Sequence, residues 1–282
     1  MSAGSPRLLA ADSFRVRANP RTGEAEVRGL DLHLRRFTRA VLDAHGLAGE
    51  DPGARRIIHR VDAFLADALP RIAAYGEGFP RLELRESAEP GGDPGPGLAL
   101  RPLPELRDTI ELRSAPGVRL EHPQRKGPNI TRLADLNREL GAEALLLDGD
   151  GGVLEGATTS LLWWPGDPED RKASGAVVRS SARVPSVTER LVIDTANRLP
   201  GTQYRIGQQQ PQPQPQQQPR GITVEQLLPR AERAPREVWA LNALHGIRVV
   251  TSIDGVVLPE PDAQRLACFR EALDQTWQPI KK

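Results

Sequence analysis

Apolar positions along the chain change period several times, and those changes outline a mixed architecture. Residues 8–17 and 24–28 are rich in strand formers and flank the turn run Asn19-Pro-Arg-Thr-Gly23, which predicts a strand hairpin. Residues 30–44 predict a helix behind it. Helical spacing recurs over 52–75 through Ile57, Ile58, Val61, Phe64, Leu65 and Leu69, which predicts one helix ending near Pro70. Residues 81–85 and 97–101 read as strands about a Gly/Pro-rich turn, and 110–114 as a further strand. Together these form a small α+β domain over residues 1–117, followed by a connector over 118–126.

A larger domain is expected over 127–282. Leu133, Leu136 and Leu140 place a helix over 129–140, and Gly141 is a natural stop. The β-rich runs 142–148 and 153–164 flank Asp148-Gly-Asp-Gly-Gly152, a strong hairpin signal. Further on come a strand at 176–179, a helix over 188–198, a strand at 203–206, a helix over 223–228 and a strand, loop and strand over 237–250. Asp254-Gly255 is a turn. A C-terminal helix over 262–277 has Leu266, Phe269, Leu273 and Trp277 as its core face. The tract 207–220, GQQQPQPQPQQQPR, offers no apolar side chain to a core and reads as a surface loop.

Composition narrows the classes. At 282 residues the chain is long enough for two domains. Its formal net charge is +1, with the two signs well mixed, which points away from nucleic acid and other polyanions. The single cysteine, Cys268, excludes an intramolecular disulfide and leaves no cysteine cluster for a metal, so a reducing cytoplasm is the expected location. No basic region followed by a long apolar run opens the chain, and no stretch is long enough to span a bilayer.

Two residues call for chemistry. Arginine carries nearly all the positive charge, and lysine occurs only at Lys126, Lys172, Lys281 and Lys282. A lysine at the junction of two segments therefore stands out, because a desolvated amine can form a Schiff base and a guanidinium cannot. Glu155 lies in the apolar strand VLEGAT, where an ionised carboxylate needs a cation or several donors to meet it. A protonated pyridine nitrogen is such a cation.

Lys126-x-x-Asn129, the helix after it, the strand Glu143-Ala-Leu-Leu-Leu-Asp148, the glycine turn and Glu155-Gly-Ala-Thr-Thr-Ser160 followed by Leu-Leu-Trp resemble the core of the fold-type IV pyridoxal-phosphate enzymes. These are the class IV aminotransferases, with the branched-chain and D-amino-acid aminotransferases and aminodeoxychorismate lyase among them. The resemblance runs from about residue 12 to 255. It implies an α+β, two-domain fold: a small N-terminal α/β sandwich and a larger, β-barrel-like domain with surrounding helices.

The resemblance also implies roles. Lys126 is the Schiff-base lysine and the proton carrier at the substrate Cα, and Glu155 keeps the pyridine nitrogen protonated. The family's phosphate-gripping arginine falls on Arg36 in His33-Leu-Arg-Arg-Phe37; a solvated basic helix face is the alternative, and the local sequence does not separate them. The run Arg183-Val-Pro-Ser-Val-Thr-Glu-Arg190 resembles the family's Gly-Ile-Thr-Arg segment, which puts Ser186, Val187 and Thr188 at a phosphate-binding helix start; an ordinary N-cap is the alternative. Asn242, Ala243 and Leu244 match the lyase-like second phosphate loop, with His245 beside them read as structural. The implied enzyme is an aminotransferase acting on an amino acid and a 2-keto acid, with a pyruvate-releasing lyase and a non-catalytic cofactor-binding homologue as alternatives. A homodimer is the implied assembly.

Overall fold

The computed structural model describes residues 6–165, 174–198, 205–209, 222–228 and 235–281. The chain folds into two compact units. One runs up to Glu105 and also takes in Glu121–Ile130 and the stretch from Thr276; the other comprises Leu106–Leu120 and Thr131–Gln275. The strand expected at 110–114 thus belongs to the second unit, and the first is completed by two later segments.

The first unit contains β1 (Leu8–Ser13), β2 (Val16–Ala18), β3 (Ala25–Arg28), α1 (Leu30–Ala44), α2 (Ala54–Tyr75), β4 (Arg81–Arg85) and β5 (Gly95–Ala99). β4 lies between β1 and β5, whereas β2 and β3 form a separate small sheet. The strand expected over 8–17 is therefore two strands that part at Phe14. Ala10–Ser13 is buried on both faces, while burial falls away along β2 to the exposed Ala18, so the two halves need different neighbours. α1 has the expected bounds and buries His33, Phe37, Ala40, Val41 and Leu42. α2 continues through Pro70. Proline removes one amide from the helical ladder, but Ala68 and Ile72 are buried on either side of it and hold the last turn in the core. The helix stops instead at Gly76, whose φ of 79° suits glycine and whose N–H is bonded to the Ile72 carbonyl.

The second unit contains β6 (Thr109–Ala115), α3 (Ile130–Leu140), β7 (Glu143–Leu147), β8 (Val153–Gly156), β9 (Ser160–Pro165), β10 (Ser174–Val178), α4 (Val187–Ala196), β11 (Arg205–Gln209), α5 (Val224–Leu227), β12 (Pro235–Asn242), β13 (Gly246–Ile253), β14 (Val256–Val257) and α6 (Ala263–Asp274). Its strands form one curled sheet in the order β11-β10-β9-β12-β13-β6-β7-β8, with β14 added on β13. The period-two alternation of strands sends neighbouring residues to opposite faces. Trp163 and Val238 join Leu145, Leu161 and α5 on one side, while Trp164 and Trp239 meet Phe269 of α6 on the other. The three rings of that second cluster contact one another edge-on at centroid distances of 5.3–5.4 Å.

Two expectations change here. The strand over 153–164 is interrupted at 157–159, between β8 and β9. The C-terminal helix ends at Asp274, and Trp277 lies in β15 (Trp277–Pro279), which pairs with β3 in the first unit. There its ring is stacked by the guanidinium groups of Arg17 and Arg28, at 4.4 and 4.3 Å. Of the Gln/Pro tract, residues 207–209 are described, in β11, and 210–220 lie outside the described residues. Among the described residues no helix is long and apolar enough to cross a membrane.

Candidate active site

In the first unit, the loop carrying Lys126 is held at three points. The Lys126 carbonyl accepts a hydrogen bond from Ala11 N in β1 at 2.7 Å. Asn129 closes the loop on Glu121, its Nδ2 donating to the Glu121 carbonyl (2.6 Å) and its Oδ1 accepting from the Glu121 N–H (3.2 Å). Arg125 donates from Nη1 to Asp43 on α1 at 2.9 Å. The asparagine of the Lys-x-x-Asn pattern is thus the residue that closes the lysine's own loop. Gly127 follows with φ 143°, and a Cβ there would lie 2.6 Å from Ala10 Cα. Only glycine lets the backbone come this close.

Beside this contact, β1 and α1 share a buried ionic cluster. Asp12 is 0 % exposed. Its Oδ2 accepts from Arg36 Nε at 2.7 Å, and its Oδ1 accepts from Arg36 Nη2 at 2.8 Å and lies 2.7 Å from His33 Nδ1. Burial alone would raise the Asp12 pKa, but Arg36 and His33 outweigh it and hold the carboxyl well below the usual carboxylate range. Burial, the largest influence on His33, pushes its imidazole below its ordinary value, with Asp12 opposing and the charges of Arg36 and Lys126 adding to the depression. A neutral ring facing an ionised carboxylate donates from Nδ1. Both shifts are depressions, so the unfolded chain takes up protons first and this cluster loses stabilising effect as the pH falls.

In the second unit, Glu155 lies on β8, 8 % exposed, and accepts from the Val184 N–H at 3.3 Å. The apolar strand therefore does bury a carboxylate. Ser186 caps α4 by accepting from Glu189 N at 3.2 Å, while the side chains of Val187 and Thr188 in the first turn are buried. The first amides of a helix lack partners within it and present a partial positive charge. Just before the cap, buried Arg183 pairs with Glu189 at 2.7 Å and also donates to the Val178 carbonyl.

Asn242 ends β12, and its Oδ1 accepts from His245 N at 2.9 Å, which closes the turn through Ala243 and Leu244. His245 Nδ1 accepts from Arg107 N at 3.2 Å, so the histidine stitches two loops together. Glu143, at the start of β7, accepts from Thr158 N (2.6 Å) and from the hydroxyls of Thr158 and Thr159, and so fixes the interruption that follows Glu155. Asp12, His33, Glu143 and Arg183 carry no role in the sequence reading. An acidic residue inside LLAADSF is the same kind of signal as Glu155 inside VLEGAT and could have marked Asp12. Among the described residues no group of three or more His, Cys, Asp or Glu side chains is placed to hold a metal.

No protein-family model matches the sequence, and no curated protein matches it. Solved structures match along nearly all of it. The T.th. branched-chain amino acid aminotransferase, complexed with N-(5'-phosphopyridoxyl)-L-glutamate, superposes with a TM-score of 0.69 at 17 % identity, covering 96 % of this chain and 89 % of that one. The chain has the branched-chain aminotransferase fold. A Mycobacterium tuberculosis hypothetical aminotransferase in its PLP-bound form matches at TM-score 0.65 and 16 % identity over 98 % of this chain and 90 % of that one. A Legionella pneumophila protein assigned as a 4-amino-4-deoxychorismate lyase matches at 0.66 and 16 % over 95 % and 90 %. The α+β, fold-type IV architecture expected from the motifs is the one observed.

Proposed function

We propose that this chain is a pyridoxal-phosphate-dependent class IV aminotransferase that moves an amino group between an amino acid and a 2-keto acid. The observation that carries the reading is the three-point anchoring of the Lys126 loop within a fold whose solved examples hold phosphopyridoxyl groups. By residue chemistry each donor suits one part of the cofactor: a lysine amine its aldehyde, the buried Glu155 carboxylate its pyridine nitrogen, and the guanidinium of Arg36 or the first amides of α4 its phosphate.

Pyridoxal phosphate, when bound, supplies the electron sink that stabilises negative charge at the substrate Cα. The chain's own residues do the rest. Lys126 Nζ would hold the cofactor through its aldehyde carbon and, as a free amine, would move the proton at the substrate Cα. Glu155 holds a proton on the ring nitrogen. Val187 and Thr188 offer their first-turn amides to the phosphate, Ser186 keeps that turn capped, and Asn242, Ala243 and Leu244 offer backbone amides from the β12–β13 turn. The reading includes a cytoplasmic homodimer.

The runner-up is an aminodeoxychorismate lyase-like enzyme, favoured by the Asn242-Ala243-Leu244 run and by the Legionella neighbour. The purified protein with pyridoxal phosphate separates the two. The transferase reading expects α-ketoglutarate-dependent consumption of an amino acid, read as glutamate formed. Pyruvate released from aminodeoxychorismate without any keto acid would move the assignment to the lyase. Neither product, despite bound cofactor, would mark a non-catalytic homologue.

A further inference from the structure

Asp12, through Arg36 and His33, is the feature outside the sequence reading that bears most directly on this site. An aspartate wholly inside a strand must be met by donors or it opposes folding. It meets three, all from α1: Nε and Nη2 of Arg36 and Nδ1 of His33, each within 2.8 Å. His33 and Arg36 are three residues apart on α1, so they share the face turned to β1. The residue before Asp12 is Ala11, whose N–H holds the Lys126 carbonyl. The cluster is therefore built into the strand that positions the lysine.

The pairing has a direction. Asp12 engages the Nε–Nη2 edge of Arg36, the side of the fork. A guanidinium is planar with five donors, so pairing along one edge sets the plane in which the whole group can meet a phosphate. A lysine could not serve both acceptors in fixed planes. We infer that Asp12 is a positioning residue for phosphate recognition: it fixes the plane of the Arg36 guanidinium, and holds His33 as the Nδ1–H tautomer, so that the charge of Arg36 is presented to a phosphate-bearing cofactor in one set orientation. The inference rests on the cofactor reading given above.

Comparing pyridoxal 5'-phosphate with pyridoxal isolates the phosphate grip, because both link to Lys126 in the same way. Binding of each is titrated to the full-length protein by quenching of tryptophan fluorescence. In Asp12→Asn the ratio of the two affinities is expected to fall on the order of tenfold, as loss of about 1.4 kcal/mol of oriented charge-assisted bonding requires, with pyridoxal binding little changed. Arg36→Lys keeps the charge without the fork, guards against misfolding of the first variant, and is expected to lose the ratio similarly. NMR of the wild type should show a slowly exchanging Arg36 Nε–H and a His33 Nδ1–H that disappear in Asp12→Asn. An unchanged ratio in both variants, or a ratio that rises in Asp12→Asn because a counter-charge has been removed, overturns the inference while leaving the cofactor reading intact. Failure of the wild type to bind either compound overturns both.

Discussion

Turnover of amino acid with added pyridoxal phosphate is expected to fall by two to three orders of magnitude in Glu155→Gln, roughly the loss seen when a preorganised electrostatic partner is removed from an active site. Glutamine keeps the shape of the side chain and still accepts from the Val184 N–H, the hydrogen bond that Glu155 makes on β8. What it loses is the negative charge. In the proposed mechanism that charge would keep a proton on the pyridine nitrogen, on which the bound group's capacity to stabilise negative charge at Cα would depend. The effect should therefore sit in the proton-transfer step and spare the melting temperature. Single-turnover kinetics with an α-deuterated amino acid read this directly: a slowed, isotope-sensitive step is expected. Wild-type rates in this variant would remove Glu155 from the chemistry.

The second large effect is expected at Gly127. An alanine there would put its Cβ 2.6 Å from Ala10 Cα and 2.8–2.9 Å from the next backbone atoms of β1, at a φ of 143° that side chains rarely adopt. Those neighbours cannot rotate away, since β1 is paired with β4 and carries the buried Asp12. Strain and overpacking of this kind cost about 1–3 kcal/mol each. Gly127→Ala should therefore lower stability by about 3 kcal/mol, or roughly 10 °C in melting temperature for a protein of this size, and reduce the fraction of protein that links cofactor. Gly95→Ala is the control: no atom lies within 4 Å of its added Cβ and its φ is not in the left-handed region, so its melting temperature should stay close to wild type. Equal melting temperatures for the two variants would contradict the close approach of the Lys126 loop to β1.

Much of the fold can be read from the sequence where local signals agree with packing. α1 has the expected bounds because its apolar stripe is long and uninterrupted, and Gly141 ends α3 with a φ of 64°, as a C-terminal glycine should. The Asp148 turn is likewise local: Asp148 Oδ1 gathers the N–H groups of Asp150 and Gly152. Failures occur where distant residues decide. Pro70 reads as a stop, yet the burial of Ala68 and Ile72 carries α2 onward. Trp277 fits a helical stripe by spacing, but Arg28 and Arg17 draw it to β3. The strand break at Phe14 depends on which sheets supply partners, and nothing within residues 8–17 specifies that.

The site divides in the same way. Lys126 and Glu155 stand out as single residues of the wrong type for their surroundings, and Glu155 is indeed buried. The reading of Ser186 as an N-cap describes what its hydroxyl does, and His245 Nδ1 accepts a hydrogen bond from Arg107 N. The partners that shape Arg36 and Thr158, namely Asp12 and Glu143, come from strands 24 and 15 residues away in sequence, and only the folded chain brings them together.

The most direct test of the central claim is the visible absorbance of the purified protein incubated with pyridoxal phosphate, recorded beside Lys126→Ala before and after borohydride. A wild-type band that borohydride removes, leaving the cofactor covalently attached at Lys126, is expected, with no such band in the variant. A wild type that stays colourless, or a variant that shows the same reducible band, would contradict that claim.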